Sequence, residues 1–152
     1  MFKIEIIAVA RLKKGALAEL SHEYEKRIVW PLTILEIETR NTTPSKAQKE
    51  EEQKILKLVK PASMVIALDE RGKTLTSQNF SSLIGRYRDE TGGTIQFILG
   101  GSDGLTDQVR SRSDLMLSFG KQTWPHLLAR IMLLEQIYRA QQILAGHPYH
   151  RH

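Results

Sequence analysis

The segment Phe97-Ile98-Leu99-Gly100-Gly101-Ser102-Asp103-Gly104-Leu105 constrains the possible folds more than any other stretch of the chain. A short apolar run reads as a buried strand, stops at paired glycines and leads through a turn-rich loop to a helix-like segment. The same grammar returns in Leu117-Ser118-Phe119-Gly120-Lys121-Gln122-Thr123-Trp124-Pro125-His126, which opens onto the longest helical pattern of the sequence. In open α/β sheets, ligands sit beyond the carboxyl ends of the strands, where backbone N–H and C=O groups are unpaired. Two such loops close in sequence are expected to form two walls of one pocket. Glycine there lets backbone approach a flat ligand without an intervening Cβ, so Gly101→Val is expected to place methyl groups in the ligand's space.

The rest of the chain alternates in kind. Phe2 to Val9 reads as a strand running into the core, and Leu17, Leu20, Tyr24 and Ile28 recur at helical spacing until Trp30-Pro31. Thr33 to Glu38 predicts a second strand, followed by a polar loop from Thr39 to Pro44. Ser45 is the expected cap of a helix reaching Lys60, and residues 48–57, which mix both charge signs, read as a solvated face. Met64 to Leu68 predicts a buried strand and Asp69 to Leu75 its loop. Ser77 is then expected to cap a helix with Phe80, Leu83, Ile84 and Tyr87 inward. Strands Thr94 to Leu99 and Leu115 to Ser118 flank a short helix, Thr106 to Arg112. The sum is an α/β fold, a mainly parallel sheet with helices on both faces, in a single domain spanning residues 1–152.

The last helix, His126 to about Leu144, carries a stripe of Leu127, Ile131, Leu134 and Tyr138, widened by Leu128, Met132 and Leu133. So broad an apolar surface predicts burial on more than one side, and a second subunit is the expected cover. Leu133→Glu is therefore expected to weaken a dimer or to misfold the chain. Gly146 is the expected helix stop. His147 to His152 then forms a tail with no core position to fill.

Composition narrows the chemistry. With no cysteine there is no disulfide framework, thiol nucleophile or cysteine-based zinc site. No apolar run approaches a membrane span and Glu5 interrupts the N-terminal one, so a cytoplasmic protein is expected. A formal charge of +5 favours a polyanionic partner, and the basic, acid-free C-terminal end is the expected RNA contact. Gly72-Lys73-Thr74 lacks the glycine that a phosphate loop needs five residues earlier, where Ala67 stands, so it reads as a turn. The 100–104 loop departs from the dinucleotide fingerprint. His147, His150 and His152 have no carboxylate or thiol partners, and no metal site is expected. Asp69-Glu70 reads as a solvated pair.

Several segments together resemble a known family: Ile6-Ile7-Ala8-Val9-Ala10-Arg11-Leu12-Lys13, both glycine loops, Glu135-Gln136-Ile137-Tyr138-Arg139-Ala140 and the ending His147-Pro148-Tyr149-His150-Arg151. They look like the small bacterial SPOUT-class ribosomal RNA methyltransferases that modify a pseudouridine of the large subunit. That resemblance implies a C-terminal trefoil knot over roughly 97–144, a homodimer, and S-adenosyl-L-methionine as cofactor. It also implies that Leu68, Gly100, Gly101, Gly120, Lys121, Gln122, Thr123, Trp124 and Pro125 bind the cofactor. The implied substrate is 23S rRNA in the assembled ribosome, at the helix 69 stem-loop, with transfer to N3 of the pseudouridine.

A neutral imide nitrogen must lose its proton before or during attack, through a general base or through cations that stabilise the anion. His126, Arg130, Glu135, Arg139, Tyr149, His150 and Arg151 are the candidates, and the sequence does not choose among them. Glu135 reads equally as a salt-bridge partner inside the helix interface, and positioning alone is a further possibility. Two rival readings stay open: a non-catalytic RNA- or ribosome-binding protein with the same fold, and a nucleotide-binding α/β protein.

Overall fold

The computed structural model describes residues 1–151. Five strands form one sheet in the order β2-β1-β4-β3-β5, every neighbouring pair parallel. They are β1 (Lys3–Val9), β2 (Leu32–Ile37), β3 (Met64–Thr74), β4 (Thr94–Leu99) and β5 (Leu115–Ser118). The helices are α1 (Ala16–Arg27), α2 (Pro44–Leu58), α3 (Ser77–Glu90), α4 (Asp107–Arg112) and α5 (His126–Leu144). The expected α/β architecture is the observed one.

Strand alternation divides the core between the two faces. Ile4, Ile6, Ile66, Ile95 and Phe97 pack with Ile28 and with the α3 and α5 residues Phe80, Ile84, Ile131, Leu133, Leu134 and Ile137. On the opposite face Ile7, Val9, Val65, Ala67 and Ile98 meet Ile55 of α2 and Val109 of α4. Glu5 also points to this second face, where Lys60 Nζ and Gln96 Nε2 each donate to its carboxylate at 2.8 Å.

Several local expectations are corrected. Thr43, not Ser45, occupies the α2 cap position, because Pro44 takes the first helical turn, where its missing N–H costs nothing. The helix ends at Leu58, and its 48–57 stretch is not wholly solvated: Glu51 and Glu52 are buried against the sheet side. Thr76 rather than Ser77 caps α3, its hydroxyl accepting from the Asn79 amide at 3.0 Å. Leu20 of α1 is exposed.

The largest correction lies in β3, where a loop was expected from Asp69. The strand instead runs on to Thr74, interrupted by an irregularity between Leu68 and Lys73, both of which register with Leu117 of β5. Lys73 and Thr74 thus find backbone partners on a strand far away in sequence. Asp69, expected in solvent, is a buried partner of Arg110, with Nε donating at 2.8 Å.

Candidate functional site: a cleft between two glycine loops

β4 and β5 end on the same side of the sheet, with β3 between them, so the loops after both strands converge there. They enclose a cleft of about 590 Å³, lined by the 99–105 loop, the β3 segment 68–71, and Leu117, Phe119, Gly120 and residues 122–126. Eight of the nine residues assigned to the cofactor thus share one cavity: Leu68, Gly100, Gly101, Gly120, Gln122, Thr123, Trp124 and Pro125. Lys121 stands in the same loop but is exposed and is not part of the lining.

Local hydrogen bonds hold both walls. In the first, the Gly104 amide donates to Gly101 O at 3.0 Å and Gln48 Nε2 of α2 donates to Asp103 O at 3.0 Å. In the second, Ser118 Oγ donates to Gly120 O and accepts from the Gly120 amide, while Trp124 Nε1 donates to Phe119 O at 3.2 Å. Gly120 sits at φ 110°, a conformation that side chains rarely adopt. Thr123 Oγ1 donates to Glu70 Oε2 at 3.3 Å, tying the second wall to the β3 segment.

Gly101 is needed for a reason other than the expected one. A Cβ there would meet Val9 Cγ1 at 3.0 Å and the Glu51 carboxylate oxygens at 3.3 and 3.4 Å. The bare α-carbon therefore faces the packed layer behind the loop. The Glu51 carboxylate lies beside the Gly101 backbone, yet its Oε1 has no hydrogen-bond partner among the described residues. Burial pushes the Glu51 carboxyl up, and the nearby Asp103 and Glu50 charges add to the shift.

The seven residues considered for substrate chemistry fall into two groups. His126, the first residue of α5, lines the cleft. Burial, helped by the Arg130 charge, lowers its imidazole below the ordinary 6.5, so the ring is neutral at neutral pH and able to accept a proton. Arg130 is only 2 % exposed and is held by groups of this chain. Its Nη1 donates to Glu36 Oε2 at 2.6 Å and its Nη2 to Ala10 O at 2.8 Å and Val9 O at 3.3 Å.

The second group gathers near the far end of α5. Arg139 donates through Nε and Nη2 to the two oxygens of Glu135, at 3.1 and 3.0 Å, and lies 4.8 Å from the Tyr149 ring centre. Tyr149 Oη donates to Glu135 Oε2 at 2.6 Å and its ring meets Tyr138 edge-on at 4.8 Å. His150 Nδ1 lies 3.1 Å from Arg139 Nη1, and Arg151 is exposed. Tyr149 therefore does have a packing position, against the expectation of an undocked tail; His152 lies outside the described residues. Burial and the bond to Glu135 push the Tyr149 phenol up to about 12, so it stays protonated at neutral pH. Glu135 lies nine residues beyond His126, roughly 14 Å along the helix axis.

Among the described residues, no group of three His, Cys, Asp or Glu side chains is arranged to hold a metal, and no helix is long and apolar enough to cross a membrane. A sequence profile described as "Predicted SPOUT methyltransferase" matches residues 2–150. The chain belongs to the SPOUT methyltransferase family. This SPOUT chain is 48% identical over 150 residues to a Rhodospirillum centenum protein named ribosomal RNA large subunit methyltransferase H, covering 98% of the chain and 99% of that relative. A Clostridium botulinum protein of the same name is 46% identical over 158 residues, covering 97% and 99%. In structure, the SPOUT chain resembles a probable methyltransferase from Bordetella pertussis, with a TM-score of 0.61, 14% identity and coverage of 91% and 95%. A Legionella pneumophila protein solved with bound SAM matches at TM-score 0.51 and 14% identity, covering 91% of this chain and 66% of that one. At such identities the two structures establish the shared fold.

The basic lining of a second cavity, at the ends of β1 and β2, went unread in the sequence. Its one visible signal was the run Arg11-Leu12-Lys13-Lys14.

Proposed function

We propose that the chain is an S-adenosylmethionine-dependent methyltransferase acting on N3 of pseudouridine 1915 in the helix 69 stem-loop of 23S rRNA. Its substrate in this reading is the assembled ribosome, and it works as a cytoplasmic homodimer. The convergence of the two glycine loops on one cleft carries the reading; the relatives that align from end to end are named for large-subunit ribosomal RNA, which supports that substrate class.

The lining suits the cofactor. Leu68, Leu99, Leu117 and Phe119 offer apolar surface for an adenine, and the glycine loops offer backbone amides and carbonyls. Bound S-adenosylmethionine supplies an electrophilic methyl group. His126, neutral and on the cleft wall, is placed to accept the N3 proton of the target base. The Glu135–Arg139–Tyr149 cluster lies well along α5 from that wall, which favours its use at a partner's cleft. Met132 and Gln136 of α5, with Leu75 and Phe119, line a further cavity that suits a partner's seat. The family's trefoil knot, over roughly 97–144, belongs to the same reading.

The test is transfer of a labelled methyl group from S-adenosylmethionine to ribosomes lacking the modification, with the product mapped by mass spectrometry. A single methyl on N3 of that pseudouridine is expected. Failure to bind the cofactor in calorimetry would instead favour a non-catalytic RNA-binding role.

A further inference from the structure

Roomier than the cofactor cleft is an open groove of about 1150 Å³ beyond the carboxyl ends of β1 and β2. Its charged lining comprises Arg11, Lys13, Lys14, Arg40, Lys54 and Lys57 against only Glu36 and Glu38. The excess of four positive charges nearly matches the formal +5 of the whole chain. Both glutamates are already engaged. Arg130 holds Glu36 from the protein interior, and Arg11 Nε lies 3.3 Å from Glu38. Lys13, Lys14 and Lys57 are exposed and form no ion pair among the described residues.

The groove is also built rather than incidental. Ala10, at φ 83°, is the only non-glycine residue with positive φ among the described residues, and this turn swings the chain out of β1. Such a conformation persists where its surroundings over-determine it. The Ala10 amide donates to Ile37 O at 2.7 Å, its carbonyl accepts from Arg130, and the Leu12 amide donates to Glu36 Oε2 at 2.8 Å. Arg11 to Lys14 is thereby fixed as one wall, and Lys54 and Lys57 of α2 supply another part of the lining. Leu127 lines the groove while its neighbour His126 lines the cofactor cleft, so the two cavities adjoin across the first turn of α5.

We propose that this groove binds the phosphate backbone of the ribosomal RNA substrate beside the methylated base. The proposal rests on the reading of the chain as an rRNA methyltransferase. Its chemistry is that of phosphate neutralisation: lysines from two segments lining an open channel attract a polyanion and fix its register without reading bases. The base-proximal chemistry stays with the cleft, and the groove supplies the affinity that a small domain needs to hold a ribosome.

The experiment compares the wild type, Lys14→Gln/Lys57→Gln, which removes one cation from each of these segments, and Lys26→Gln/Arg86→Gln, which removes the same charge from α1 and α3. Binding to ribosomes lacking the modification is measured by co-sedimentation across a salt series, methyl transfer by labelled cofactor, and cofactor binding by calorimetry. The groove variant should bind ribosomes about tenfold more weakly and flatten the plot of log affinity against log salt by between about one and two. Its KM for ribosomes should rise while kcat and cofactor affinity stay unchanged. A groove variant that matches the wild type, or a surface variant that loses as much, overturns the proposal. A wild type that binds ribosomes through the groove but transfers no methyl sinks the enzymatic reading and leaves the groove standing.

Discussion

Replacing Arg130 with methionine probes both the fold and the groove, because one buried guanidinium joins α5 to the ends of β1 and β2. The substitution keeps the apolar stem but removes the donors to Glu36 Oε2 and to the Val9 and Ala10 carbonyls. Breaking a buried pair costs about 3–5 kcal/mol when the surviving charge stays buried. The Glu36 side chain is 28% exposed, so water can partly replace the arginine and the lower end, about 3 kcal/mol, applies. In a chain of this size that is a fall of about 6–12 °C in Tm.

The pH dependence identifies the cause. Burial acts to raise the Glu36 carboxyl, but the bonds from Arg130 and from the Leu12 amide outweigh it and hold the group below its ordinary 4.5. A depressed carboxyl contributes stability that is present above the unfolded value and lost as pH falls through the folded one. The gap between wild type and Arg130→Met should therefore be full at pH 7 and shrink below about pH 4.5. Adding Glu36→Gln removes the stranded charge and should restore about 1 kcal/mol. Thermal melts followed by circular dichroism from neutral to acid pH provide the assay. A gap under about 2 °C at neutral pH, or one that is constant into acid, refutes the assignment.

Two further outcomes follow from the same packing. Glu51→Gln should stabilise the protein by about 1 kcal/mol above neutral pH and leave it unchanged near pH 4: burial raises the Glu51 carboxyl, so the wild type loses stability as pH rises through that value. Denaturant titrations at both pH values check it, and a less stable variant at high pH would count against a strained carboxylate behind Gly101. Leu133 is fully buried within the chain, so Leu133→Glu should unfold it, whereas Met132→Glu should stay folded and convert the proposed homodimer to a monomer. Sedimentation velocity with circular dichroism separates the two, and a folded Leu133→Glu monomer would place that side chain at the interface.

How much of this was legible in the sequence depended on how local each cause was. β4 ends where its apolar run meets Gly100, β5 ends two residues before Gly120 and α5 begins directly after Pro125, because glycine and proline act on their own backbone. The two glycine loops and their shared cleft were readable for the same reason, and family resemblance carried the chemistry that no spacing could supply. The sequence also determined the α/β class, since alternating periods of two and near four leave few ways to bury both kinds of face.

Only the tertiary structure decided what depended on partners distant in sequence. β3 outran its apolar stretch because Lys73 and Thr74 found β5. Gly101 turned its bare α-carbon to Glu51 rather than to a ligand, and Tyr149 docked onto Tyr138 and Glu135. Arg130, one candidate among seven for the reaction, became the buried tie to Glu36 and Ala10. The basic groove belongs with these: Arg11 to Lys14 and Lys54 to Lys57 lie some forty residues apart, and parallel pairing of β1 with β2 brings them to one side of the sheet. A charge's role is set by what surrounds it in space, because Coulomb energy depends on distance and burial and not on separation along the chain.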